Sequence, residues 1–372
     1  MSDNAWYSGE SVFGYGQDNT LNTVRELVSS EFLVNSMHLE MGILNFIVAP
    51  VAPSPRENFK RLATKMKGRG YIPFLRRENN QYVIRVASRP TTRPSRNLVN
   101  LGLFVVTCLT IFVSGYFAFS NPVYTDYLLR GSNLILSAIL FTVCILAILG
   151  LHELGHKIVS QTKGIDASLP YFIPGLPPVG TFGAVILQKE PPVNRNELFD
   201  VGLSGPMVSF VLTAIVALIG IVFSFQVPES QVSQWISQGY LSYGPSPLLL
   251  DIIQYLVWGT GVPGKVLVTT PIVTAAWIGA LVTFLNLFPA WQLDGGHVAQ
   301  AVLNKRGYEI LSLAATVGLL LAGFWLMAIL IFMMRGSRGM EPLDDVSPLS
   351  TSRKAMVPLV IAIFALCFVI FW

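Results

Sequence analysis

Six stretches of this chain are apolar over roughly the ~20 residues that a bilayer core requires: 98–119, 134–159, 201–225, 266–288, 310–334 and 355–372. Hydrocarbon offers no partner to a free backbone N–H or C=O, so such stretches are expected to be helical. A content of 52% hydrophobic and 12% charged residues agrees, being too greasy and too charge-poor for an ordinary soluble domain. The expected fold is an α-helical integral membrane protein with about six transmembrane helices and a lipid bilayer around it. The net charge of +4 is small for this length and points to no nucleic-acid partner. Cys108, Cys144 and Cys367 fall inside apolar runs without pairing or ligand spacing, and read as small hydrophobes. The first residues are polar and lack the apolar core of a signal peptide, so 1–21 is expected to be a flexible tail.

Charge distribution sets the expected orientation. Arg85, Arg89, Arg93 and Arg96 precede the first span, Lys157, Lys163, Lys189 and Arg195 lie between the second and third, and Lys305 and Arg306 between the fourth and fifth. The opposite side has only Arg130 and Lys265 in its first two loops. The positive-inside rule therefore puts the N-terminus in the cytoplasm. The last loop, with Arg335, Arg338, Arg353 and Lys354 offset by Glu341, Asp344 and Asp345, weakens that asymmetry without reversing it. Residues 246–258 form a short apolar stretch on the outer side, expected as an interfacial helix or partial re-entrant segment.

Ahead of the spans, 22–89 reads as a small soluble α/β domain: a helix over 23–34, a strand over 38–48, a basic helix over 55–67 with proline at its start, and a hairpin of 71–76 and 81–87 about Glu78, Asn79 and Asn80. Residues 90–97 read as a linker and 98–372 as the membrane-embedded part. His38, alone in this domain, is expected to be structural. The basic helix, with Arg56, Lys60, Arg61, Lys65 and Lys67, has either a solvated face or one for anionic headgroups.

The chemistry sits where the second span ends, at His152, Glu153, Leu154, Gly155 and His156. Two histidines four apart lie about 40° apart around a helix, so both rings can reach one metal ion. Glu153, beside the first, can take a proton from the attacking water. Ionisable groups at membrane depth are costly and are functional by default. A catalytic zinc site has three protein ligands and an open position, so a third ligand is required. Asp294 is the only carboxylate between Asp251 and Glu309, in a stretch that begins Asn286, Leu287, Phe288, Pro289 and ends Leu293, Asp294, Gly295, Gly296, His297. It reaches the histidines only if Pro289 breaks the fourth span and the glycines turn the chain inward. His297 would close the open position if it were a fourth ligand, and is expected to pack or hydrogen-bond beside the centre.

HELGH in one span and N-x-x-P-x-x-x-L-D-G-G at the end of a later one resemble the site-2 protease family of intramembrane zinc metalloproteases, most specifically over 134–297. The resemblance implies one catalytic zinc held by His152, His156 and Asp294, with Glu153 as general base. It also gives Asn286 a contact to substrate backbone or developing oxyanion, the alternative being a buried amide that joins helices. Between spans two and three, Gly180, Thr181, Phe182, Gly183 and Ala184 resemble the family's re-entrant β-hairpin beside the active site. Its edge would bind an unwound substrate strand; a surface loop anchored by Phe182 and Ile186 is the alternative. Gly202, Ser204, Gly205 and Ser209, around Pro206, resemble the small-G-P motif and are expected to allow close packing against the zinc helix. Glu197 and Asp200, at that helix's start, suit its dipole rather than a metal.

The function so implied is peptide hydrolysis within or near transmembrane segments of single-pass membrane proteins, with 22–89 open to a regulatory partner. Two alternatives compete. A membrane zincin with glutamate as third ligand has only Glu190, Glu197 and Glu309 to draw on, none in E-x-x-x-D spacing. A non-proteolytic metal-binding protein or transporter has no need of a base beside the first histidine.

Overall fold

The structure, a computed structural model, describes residues 18–369 except 41, 52–53, 90–96, 129–132, 243 and 335–340. The expected tail 1–21 and linker 90–97 lie outside the described residues, save that 18–21 already belong to a helix and Asn97 begins one. Arg93, Arg96, Arg130, Arg335 and Arg338 of the charge argument also lie outside them.

The first part consists of α1 (Asp18–Ser29), β1 (Phe32–Glu40), β2 (Ile43–Pro50), α2 (Arg56–Lys67), β3 (Tyr71–Glu78) and β4 (Gln81–Ser88). Phe59, Leu62, Ala63 and Met66 recur along α2 at helical spacing and are buried, giving the helix the apolar stripe that seats it on the sheet. The sheet is antiparallel in the order β1-β2-β4-β3. Asn79 and Asn80, both at positive φ, close β3 on β4 with Glu78 opposite Gln81; this is the tight two-residue hairpin loop that asparagine favours. Two expectations need correction. The helix over 23–34 sits earlier in the chain, and Leu33 and Val34 are already in β1. The single strand over 38–48 is two strands, because Gly42, at φ 76°, turns the chain back after Glu40.

Then follow α3 (Asn97–Phe119), a π-helical turn (Val123–Leu128), α4 (Leu134–Thr162), β5 (Tyr171–Pro174), β6 (Thr181–Val185), α5 (Arg195–Val222), β7 (Phe225–Pro228), α6 (Glu229–Ser237), α7 (Leu248–Trp258), β8 (Lys265–Val268), α8 (Pro271–Asn286), α9 (Asp294–Val302), α10 (Lys305–Leu321), α11 (Trp325–Met334) and α12 (Thr351–Cys367). Three helices among the described residues, α3, α4 and α5, are long and apolar enough to cross a membrane. The other expected spans are shorter or divided. The stretch 266–288 splits into β8 and the 16-residue α8, because Thr270 caps the Val273 N–H with Pro271 in the first turn. The stretch 310–334 is broken at Gly323, at φ 87°, between α10 and α11. The last becomes the 17-residue α12.

α5 lies at the centre of the helical part, packed on α4, α8, α9 and α7, while α3 packs on α4. Ile148, Leu203, Ala276, Ala280, Phe284 and Leu287 belong to one buried cluster that joins α4, α5 and α8. At one end, Arg353 of α12 grips Asp200 of α5 with two bonds of 2.6 Å, and Lys163 after α4 reaches the same carboxylate at 2.8 Å.

A short segment near residue 344 ties the sheet to this body. Leu75 of β3 donates to Leu343 O at 2.8 Å, while Leu343 and Asp344 donate to Pro192 and Val193 carbonyls at 2.9 and 2.7 Å. Leu343 is buried in the core of the sheet and its helices. Lys67 and Arg89 both pair with Glu190, Lys67 at 2.5 Å.

Candidate metal centre

The lower part of α4 carries His152 and His156 on one face, and both are buried. Their Nε2 atoms lie 3.1 Å apart. Asp294 Oδ2 stands 3.2 Å from the first and 3.1 Å from the second. The carboxylate gets there as the sequence requires: α8 stops at Asn286 ahead of Pro289, Trp291 takes a φ of 35°, and Asp294 opens α9. A β-carbon on Gly295 would fall 2.0 Å from Leu287 O, so only glycine permits so close a return of the chain.

Two imidazole nitrogens and one carboxylate oxygen within 3.2 Å of one another fit zinc. Tetrahedral bonds of about 2.0–2.1 Å put neighbouring ligand atoms ~3.3 Å apart. Among the described residues this is the only such group of three. His297 is not in it; its side chain packs toward Gly202 of α5, where a β-carbon would meet His297 Cβ at 3.0 Å. Glu190 and Glu197 also stay outside the group: the first pairs with Lys67 and Arg89, and the second accepts from the Val193 N–H at 3.0 Å.

The rings are held from behind by α5. His156 Nδ1 lies 2.8 Å from Val201 O. A carbonyl only accepts, so the proton sits on Nδ1 and the Nε2 lone pair is left for a metal. Behind His152, Ser209 Oγ is 3.2 Å from Nδ1. Gly205 is where α5 passes the pair, and a β-carbon there would lie 2.2 Å from His156 Nε2 and 2.7 Å from His152 Nε2. The small residues of this helix thus make room for the imidazoles themselves. Ser209 was expected only as a small residue allowing close packing and Thr283 not at all, because hydroxyls are common in apolar helices and only the packing of α5 on α8 brings both behind His152.

Glu153 is buried, 7% exposed, on the α4 turn between the two imidazoles. Asn286 Nδ2 is 3.3 Å from His152 Nε2, at the edge of the ligand triangle. The five expected hairpin residues divide. Gly180 is in the turn, with its carbonyl taken by Thr110 Oγ1 of α3 at 2.7 Å, and Thr181 spends its hydroxyl on Ile173 O at 2.8 Å. Thr181, Phe182, Gly183 and Ala184 lie along β6, where Thr181, Gly183 and Ala184 pair with β5 while Phe182 falls at a bulge and is 70% exposed.

Comparison with known proteins gives this geometry a family context. A model of the peptidase family M50 matches residues 140–330. The chain is 31% identical over 202 residues to "Probable zinc metalloprotease EGY2, chloroplastic" of Arabidopsis thaliana, covering 51% of this chain and 34% of that protein. It is 27% identical over 342 residues to the protein of the same name from Oryza sativa subsp. indica, covering 86% and 58%. With "Probable zinc metalloprotease EGY1, chloroplastic" of Arabidopsis thaliana it shares 29% over 240 residues, covering 61% and 42%. The chain therefore spans between about a third and three-fifths of the length of these relatives. No solved structure matches it.

Proposed function

This chain belongs to peptidase family M50, the site-2 protease family, and from that premise we propose that it is an intramembrane zinc metalloprotease. One observation carries the reading: the α4 imidazoles and the α9 carboxylate, 142 positions apart in sequence for the first pair, meet within 3.2 Å beside a glutamate that binds no metal ligand. His152, His156 and Asp294 would hold the zinc, which when bound polarises the scissile carbonyl and acidifies the attacking water. Glu153 accepts the water's proton and passes it to the leaving amine. Asn286 steadies the substrate carbonyl as charge develops on it.

Substrates are single-pass membrane proteins whose helix unwinds at the depth of the site, since a regular helix keeps its carbonyls bonded within itself. β6, paired with β5 on one side only among the described residues, is the edge on which the unwound strand is laid, with Phe182, Gly183 and Ala184 facing it. In this reading the hairpin is re-entrant and α8 and α12 cross the bilayer together with the three long helices, while α10 and α11 turn at Gly323 and return to the side they start from, since Arg195 bonds both Leu303 O ahead of α10 and Asp345 ahead of α12. Residues 22–89 form a cytoplasmic domain that receives a regulatory partner, and the active site opens to the same side. Supporting that side is the cation set at one end of the helices, where Lys163 and Arg353 meet Asp200.

A transporter or metal-storage role would not require a carboxylate next to the first ligand. The test is Glu153→Ala in the full chain, with metal content and membrane-protein cleavage products measured together. Retained zinc with lost products supports a protease, whereas unchanged products would reject it.

A further inference from the structure

The two imidazoles of the centre are oriented by different devices, and the difference assigns a role to residues outside the ligand set. His156 faces a carbonyl, an acceptor with no choice. His152 faces a hydroxyl, which both donates and accepts, so Ser209 alone does not decide which nitrogen of His152 carries the proton. What decides is where Ser209 sends its own hydrogen. Its Oγ lies 3.0 Å from Thr283 Oγ1 of α8 and 3.1 Å from Pro206 O. Thr283 in turn donates to Gly279 O at 2.8 Å, which leaves its oxygen to accept. Ser209 and Thr283 are both fully buried.

We propose that Ser209 and Thr283 form a one-way hydrogen-bond relay, His152 Nδ1–H to Ser209 to Thr283 to Gly279 O, that fixes the metal-binding tautomer of His152. Both exits available to Ser209, Thr283 Oγ1 and Pro206 O, draw its hydrogen away from the imidazole. The ring must then donate from Nδ1 and keep its Nε2 lone pair toward His156 and Asp294. Ser209 and Thr283 are positioning residues. They touch neither substrate nor metal, and this inference rests on the metal-centre reading above.

The relay predicts a graded and non-additive pattern in zinc affinity. Outer partners of metal-bound histidines are typically worth 10–100-fold, and Ser209→Ala is expected to weaken zinc binding by about that factor. Thr283→Val keeps the shape of the side chain but removes the hydroxyl. Ser209 can still turn to Pro206 O, so this variant should lose only a few-fold, and Thr283→Ser should bind as the wild type does. The double variant Ser209→Ala with Thr283→Val should be no weaker than Ser209→Ala, because the second hydroxyl acts only through the first.

The experiment is competition with a chromophoric zinc chelator on the detergent-solubilised full chain, with cleavage measured separately at saturating zinc. The relay is overturned if Ser209→Ala binds zinc as tightly as the wild type, if the two losses add, or if the wild-type chain binds no zinc. A wild-type chain that shows the predicted affinities and cleaves no membrane protein would leave the relay standing and remove the protease reading.

Discussion

At the scale of single residues, the position of α5 against the imidazoles makes a sharp demand at Gly205. An added β-carbon would come within 2.2 Å of His156 Nε2, so Gly205→Ala should displace a ligand and leave the purified protein with little zinc. A full complement of metal in that variant would mean that α5 does not back the centre. Asp294→Ala should lower zinc affinity and activity together, because a carboxylate is a good ligand. Asn286→Ala should lower activity by roughly 10-fold or more with zinc retained, because an amide is a poor ligand but a useful donor to a developing oxyanion. Metal analysis beside a cleavage assay separates the two. His152, Glu153, His156 and Asp294 were legible in the sequence since ionisable residues are scarce in apolar runs and their spacing is chemically specific. Val201 O and Thr283 were not, and Ser209 was legible only as a small packing residue, since a backbone carbonyl has no sequence signature and the hydroxyls gain their role from packing between distant helices.

At the scale of elements, proline at Phe182 or Ala184 is expected to reduce cleavage while zinc content and folding persist. Proline removes an N–H and distorts a strand edge, and β6 is proposed to present that edge to substrate. Normal cleavage by both variants would shift substrate positioning to the helices. In the sheet-bearing part, Glu31 offers a pH test. Burial would raise its carboxyl, but hydrogen bonds from Lys65 and Arg61, with their charges, outweigh that and hold it below its ordinary value. The stabilisation is therefore present above that ordinary value and lost as pH falls through the lower, folded-state value. Amide exchange corrected for intrinsic rates should show β1 and α2 better protected in wild type than in Glu31→Gln at neutral pH, with the gap closing in acid. The Asn79–Asn80 hairpin was readable because positive φ selects asparagine there. The turn at Gly42 was passed over because a lone glycine between apolar residues interrupts an alternating pattern only slightly. The breaks in the later spans escaped for a related reason: hydropathy averaged over ~20 residues does not register the Thr270 cap or the turn at Gly323.

At the scale of the whole molecule, the sheet and the helical body share a segment. Leu343 is buried in the sheet's core while its backbone bonds both Leu75 and Pro192. A domain read from 22–89 alone omits that residue, because nothing in local sequence links positions some 270 apart. Leu343→Asp would bury a carboxylate among apolar side chains, which is strongly unfavourable, and is expected to raise amide exchange in β3 and at 192–194 together. A rise confined to one side would show that the segment does not join them. The most direct test of the proposed activity is hydrolysis of single-pass proteins by the purified full chain in lipid vesicles made up in oxygen-18 water. Mass spectrometry should find a new C-terminus inside the substrate's apolar segment carrying one heavy oxygen, and Glu153→Ala should retain zinc but yield no such product. Products confined to water-exposed parts of the substrate, or equal products from Glu153→Ala, would contradict intramembrane proteolysis by this centre.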